Sequence, residues 1–157
     1  MEDKIDPRIL RTKQQLREAL LDLTATQRMD KITIKQLTDH AGLNRGTFYL
    51  HYQNVEDFYD DLKEDALDQY YKIIRKLTYP YENREPFLDP PSGFIKPFEY
   101  ILENQRFFKV FMSPLGNGFT EQMVELIKKQ FEYAYLIRNH HEVETEIPVK
   151  QLYLFSY

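Results

Sequence analysis

The sequence predicts an all-α protein, on three observations. Apolar residues recur at intervals of three and four through most of the chain, glycine or proline stands where that rhythm breaks, and capping residues stand where it resumes. The clearest instance is Thr33 to Tyr52, TIKQLTDHAGLNRGTFYLHY, in which two short amphipathic segments meet at Gly42. The first sets Ile34, Leu37 and Ala41 on one face behind Thr33 as an N-cap. The second follows Asn44, with Phe48 and Tyr52 four apart and Arg45, Thr47, Tyr49 and His51 spread over the rest. This stretch reads as a helix-turn-helix.

The other elements follow in order. Residues 9–27 form a first helix through Leu16, Ala19, Leu20 and Leu23, with Pro7 in its first turn and Asp6 before it as a cap. Arg8, Arg11, Lys13 and Arg17 crowd its first half, either as a solvated face or as a cluster over phosphates. After a connection at Met29 to Ile32, a second helix spans Ile34 to Ala41 and a third Arg45 to Tyr52. Leu16, Leu20, Leu23, Ile32, Ile34, Leu37, Ala41, Leu43, Phe48 and Tyr52 supply a small shared core, marginal for a module of about 50 residues alone. A long fourth helix runs from Val55, capped by Asn54, to Thr78. Residues 79–93 hold four prolines and read as a loop. Two helices, Phe94 to Asn104 and Gln105 to Met112, and a long one from Phe119 to Arg138 complete the pattern. Pro148 opens a further apolar face at Val149, Leu152, Tyr153 and Phe155, about two turns from the end, so the helical fold is expected to be incomplete there.

Composition narrows the classes. Hydrophobic residues make up 42% and charged residues 29% of the 157, an ordinary globular balance. No apolar run approaches the roughly 20 residues that span a bilayer, the N-terminus does not resemble a signal peptide, and a cytoplasmic protein with no membrane role is expected. Absence of cysteine removes disulfides, thiolate catalysis and zinc–cysteine sites. The net charge of −4 divides unevenly, +2 over residues 1–52 and −6 over residues 53–157.

An exposed helix N-terminus after a glycine turn offers unpaired N–H groups and a positive dipole end, which suit phosphate oxygens. Two occur, at Thr33 to Lys35 and at Asn44 to Arg45. Arg45 suits a guanine edge by two parallel bonds, Thr47, Tyr49 and His51 suit phosphates, and Leu50 can meet a thymine methyl. Against this stands a generic helical hairpin with a polar face.

The run ITIKQLTDHAGLNRGTFYLHYQNVEDFY, Ile32 to Tyr59, resembles the DNA-binding signature of the tetracycline-repressor (TetR) family of bacterial regulators. The resemblance implies a homodimer whose N-terminal domain, here 1–53, reads a palindromic operator in double-stranded DNA. It further implies a C-terminal domain, here 54–157, that binds a small effector and dimerises. On the matching positions, Arg45, Gly46, Leu50 and His51 would face bases or nearby phosphates, Thr47 and Tyr49 would hold the DNA backbone, and Thr33 and Lys35 would contact phosphates. Two departures stand out: family members usually carry lysine at the start of the fourth helix, where this chain has Val55 and Glu56, and they usually extend through two full closing helices. The expected function is a transcriptional regulator, usually a repressor released by its effector. The competing reading is a protein-interaction module with weak or no DNA binding.

Other chemistry has little support. His140 and His141, with Glu142, Glu144 and Glu146, read as a solvated loop more than a metal site, and no metal or cofactor is expected. Asp57, Asp60, Asp61, Glu64, Asp65 and Asp68 on the fourth helix read as a solvated face, and no nucleophile or phosphate-loop motif suggests an enzyme. Phe98, Phe107, Phe108, Phe111, Phe131 and Tyr135, with Tyr70 on the fourth helix, are first of all core. The same aromatic residues can also enclose an apolar or planar effector.

Overall fold

The computed structural model describes residues 6–78, 95–116 and 118–139, and of residues 76–78, 131 and 133–139 the backbone alone. Among the described residues every regular element is helical: α1 (Pro7–Leu23), α2 (Ile34–Ala41), α3 (Arg45–Tyr49), α4 (Val55–Thr78), α5 (Lys96–Glu103), α6 (Gln105–Phe111) and α7 (Phe119–Asn139), with one 3-10 turn at Met29–Lys31. The loop expected over 79–93, the polar run from His140 to Ile147 and the apolar face after Pro148 lie outside the described residues.

Local chemistry accounts for the boundaries. Asp6 accepts from the Arg8 N–H at 2.8 Å and Pro7 occupies the first helical position, so α1 starts two residues earlier than its apolar pattern alone suggests. It also stops earlier than expected, because the N–H groups of Ala25 and Thr26 turn back to the carbonyls of Asp22 and Leu23 in tightened bonds. A full capping box starts α2, with Thr33 Oγ1 accepting from the Gln36 N–H and the Gln36 side chain accepting from the Thr33 N–H. Gly42, at φ +66°, ends it in the left-handed region that glycine enters at least cost.

α1 packs along α2 and touches α6, while α4 packs along α7 and against α5. The expected small core is present: Leu16, Leu20, Ile32, Leu37, Phe48 and Tyr52 are buried, and Leu23, Ile34, Ala41 and Leu43 pack against them. It does not stand alone. Phe58, Tyr59 and Leu62 of α4 join the same cluster, which continues through Tyr70 and Tyr71 to Phe107, Phe108, Phe111 and Phe119. Phe48 meets Phe58 edge-on at 6.0 Å, and the Tyr59 hydroxyl donates to the Met29 carbonyl at 3.1 Å, so α4 is held to the first three helices by both apolar and polar contacts.

Gly116 closes the turn between α6 and α7, its N–H bonded to the Ser113 carbonyl at 2.8 Å. A Cβ at this position would run into the backbone carbonyl of Phe111. Gly116→Ala is therefore expected to cost about 1–3 kcal/mol, as overpacked sites do, visible as a lower thermal midpoint. An unchanged midpoint would mean that the turn relaxes without cost.

Candidate nucleic-acid interface

The polar face of the helix-turn-helix follows from how α3 is anchored. Phe48 is fully buried and Tyr52 nearly so, which turns the rest of the segment outward. Arg45 and Gly46 are exposed, Tyr49 is 58% exposed and Leu50 80%, while Thr47 and His51 are half-buried. Tyr49 is the last residue of this five-residue helix and Leu50 its C-cap, so the two exposed side chains adjoin at its C-terminal end. The helix is shorter than its sequence pattern suggests: it ends at Tyr49, and Tyr52 leaves it to pack on Phe58 at 5.1 Å and to donate to Asp61 at 2.6 Å.

The two helix N-termini differ in what they leave available. Asn44 Oδ1 accepts from the Gly46 N–H at 2.9 Å, and the Arg45 side chain makes no hydrogen bond or ion pair among the described residues. At α2 the capping box occupies the Thr33 and Gln36 N–H groups, and exposed Lys35 pairs with Asp39 at 3.0 Å. Lys35 can turn to another anion at little cost, since exposed i,i+4 pairs contribute about 0.3–0.5 kcal/mol.

The start of α4 is capped from within. Asn54 Oδ1 accepts from the Asp57 N–H at 2.7 Å, and the Asp57 carboxylate accepts from the Gln53 N–H at 2.9 Å. Glu56 and Asp57 stand exposed in its first turn, so a phosphate approaching this helix end meets two carboxylates of the chain itself.

The basic cluster of α1 divides. Arg8 and Arg11 are exposed. Lys13 instead bridges Asp61 at 2.8 Å and Asp65 at 2.5 Å, and Arg17 donates to Asn104 at 2.8 Å and lies over the Phe107 ring at 5.2 Å. Burial works against the Lys13 ammonium, but its bonds to the two aspartates outweigh that and raise its pKa above the ordinary value. The acidic run of α4 is correspondingly more than a solvated face: Asp61 and Asp65 fasten α1 to α4, and Asp60 pairs with buried Lys63 at 2.7 Å. The Asp60–Lys63 pair follows ordinary i,i+3 helix spacing, whereas no spacing rule in the sequence reveals the contacts of Lys13 and Arg17.

Burial first, then the bond to Asp61, raises the pKa of the Tyr52 phenol. A raised folded-state pKa gives stability that is complete below the unfolded value, about 10 for tyrosine, and is lost as pH rises beyond it. Tyr52→Phe should thus flatten the alkaline decline of stability while costing about 1 kcal/mol at neutral pH. Thermal melts between neutral pH and pH 11 test this, and an unaltered alkaline slope would exclude Tyr52 as its source.

Of the aromatic residues singled out for an effector pocket, Phe107 and Phe111 stack at 4.3 Å, and Phe107 meets Phe108 edge-on at 5.6 Å. Tyr70 reaches Phe108 through Tyr100, with ring separations of 6.3 and 5.7 Å. Phe119, fully buried, sits against all three phenylalanines of α6 and is a member the sequence did not single out. Phe98 stands apart at 64% exposure, and the side chains of Phe131 and Tyr135 lie outside the described residues. Among the described residues no cluster of histidine and carboxylate groups could hold a metal ion, and no helix is long and apolar enough to cross a membrane.

The arrangement is thus a helix-turn-helix whose second helix is fastened from behind and presents arginine, tyrosine and leucine outward. The chain is 42% identical over 103 residues to a Bacillus subtilis (strain 168) protein described as the uncharacterized HTH-type transcriptional regulator YxbF, a match that covers 63% of this chain and 26% of that protein. The chain therefore spans about a quarter of the length of the curated relative it matches. No family model and no solved structure matches it.

Proposed function

We propose that the chain is a sequence-specific DNA-binding transcriptional regulator of the TetR type. α3 enters the major groove, with Arg45 and Leu50 at base edges, Thr47, Tyr49 and His51 toward the backbone, and Thr33 and Lys35 on an adjoining phosphate. The observation that carries this reading is the outward face of α3 and its C-cap, where the Arg45 side chain has no partner among the described residues and Tyr49 and Leu50 are exposed over a fully buried Phe48. The description of the Bacillus subtilis relative as a transcriptional regulator supports it. In this reading residues 1–53 form the reading domain of a cytoplasmic homodimer on a palindromic operator. Residues 54–157 take a small effector among aromatic helices, and its binding releases repression.

The test is a binding titration against the DNA upstream of the protein's own gene at several salt concentrations. A DNA reader loses affinity steeply as salt rises, because phosphate contacts release counterions. Salt-insensitive or absent binding would favour the second reading, a protein-interaction module. Glu56 and Asp57 at the start of α4 favour that module, since they set negative charge beside the reading face. Glu56→Lys separates the two further: it should raise nonspecific affinity and steepen the salt slope by roughly 1 to 2 for a DNA reader, and leave a protein contact unmoved.

A further inference from the structure

We propose that Arg106 of α6 is a positioning residue for the helix-turn-helix, acting through Asp22 of α1 on His40 of α2. The two oxygens of one carboxylate are divided between two elements. Arg106 Nη2 lies 2.5 Å from Asp22 Oδ1, and its Nη1 lies 3.4 Å from Glu18, while Asp22 Oδ2 lies 3.1 Å from His40 Nε2. Arg106 and His40 are thereby joined through one carboxylate. His40 is in the last turn of α2, two residues before Gly42 turns the chain toward α3. Hydrogen bonds from Arg106 and then His40 hold the Asp22 carboxyl below its ordinary pKa, so both oxygens act as acceptors at neutral pH.

α6 connects this contact to the aromatic core. Phe107, Phe108 and Phe111 bury one side of it in the aromatic cluster, and Arg106 leaves it toward α1. One turn back along α1, Arg17 grips Asn104 at 2.8 Å, at the joint between α5 and α6, and covers Phe107. Asn104 precedes α6 and Arg106 is its second residue, so the two contacts together hold the N-terminal end of α6 on α1, next to the buried Phe107. The route runs from α6 through α1 to α2 and does not pass through α4. Each exposed pair is individually weak, but the two bonds share one carboxylate and are coupled through it.

The proposal rests on the DNA-reading function only for its consequence, so its test has two arms, both on the full chain. Amide hydrogen exchange without DNA reads the position of α2, through the Gly42 and Leu43 N–H groups bonded to the carbonyls of Asp39 and Thr38. Arg106→Met should speed exchange at these two amides about two- to fivefold, the range of an exposed ion pair, while the amides of residues 58–67 in α4 keep their rates. Arg106→Lys should restore part of the protection. His40→Gln should have a similar effect, and the double variant should do no more than the larger single change. Unchanged exchange at 42–43, equal acceleration along α4, or additive effects would overturn the proposal. In the second arm, affinity for the upstream DNA should fall with the exchange protection. Exchange coupling in a protein whose wild type binds no DNA would leave the positioning intact and remove the DNA-reading function instead.

Discussion

Phe48→Ala is expected to lower the stability of the protein by about 3–5 kcal/mol, the usual cost of emptying a fully buried phenylalanine site. Phe48 has no exposed surface and meets Tyr52 at 5.4 Å and Phe58 at 6.0 Å, so its loss opens a cavity where α3 joins α4. Against a total stability of about 5–15 kcal/mol for an ordinary domain, this is a large fraction. Urea unfolding should show a lower midpoint with little change of slope, and Gly42 and Leu43 should lose exchange protection. A midpoint within about 1 kcal/mol of the wild type would mean that α3 does not depend on this aromatic contact.

Arg45→Ala is expected to do the reverse, leaving stability within about 0.5 kcal/mol because the Arg45 side chain is exposed and has no partner among the described residues. Its effect should fall on specific DNA affinity, a loss of about 1–3 kcal/mol, or roughly tenfold to a hundredfold, with relaxed preference at one base position of each half-site. Tyr49→Phe should cost less and nearly equally across sequences, as a phosphate contact does. Comparing both variants on specific and scrambled duplexes at fixed salt separates base reading from backbone attraction. Arg45→Ala with full specific affinity would remove this face from the interface, whatever else the protein does.

Much of the helical layout was legible because it depends on neighbours in the chain. Thr33, Gln36 and Gly42 bound α2, and Asn54 and Asp57 start α4, by bonds that span three or four residues, and both helices lie where the pattern puts them. α3 is shorter than its pattern because Tyr52 answers to Phe58 and Asp61, which are distant from the periodicity that suggested a longer helix. The fate of the basic residues in α1 was not legible for the same reason. Lys13 and Asp61 are 48 positions apart, and Arg17 and Asn104 are 87 apart, so only the packing of α1 on α4 and α6 decides which cations face solvent. The reading face is intermediate: its residue types stand out in the sequence, but their outward direction depends on Phe48 being buried. Aromatic residues cannot be divided into core and pocket by pattern, since both require the same apolar helix face.

The internal cap at the start of α4 bears on how such a protein would search a genome. With Asp57 seated on its own Gln53 amide and Glu56 beside it, a DNA reader of the proposed kind would offer random duplex one phosphate grip fewer. Residence on non-operator DNA would shorten accordingly, and a larger share of the molecules would stay free in solution between encounters. Discrimination then depends more on what α3 finds in the groove than on how long the protein lingers along the phosphate chain. A regulator of this kind trades a long scan for frequent short landings.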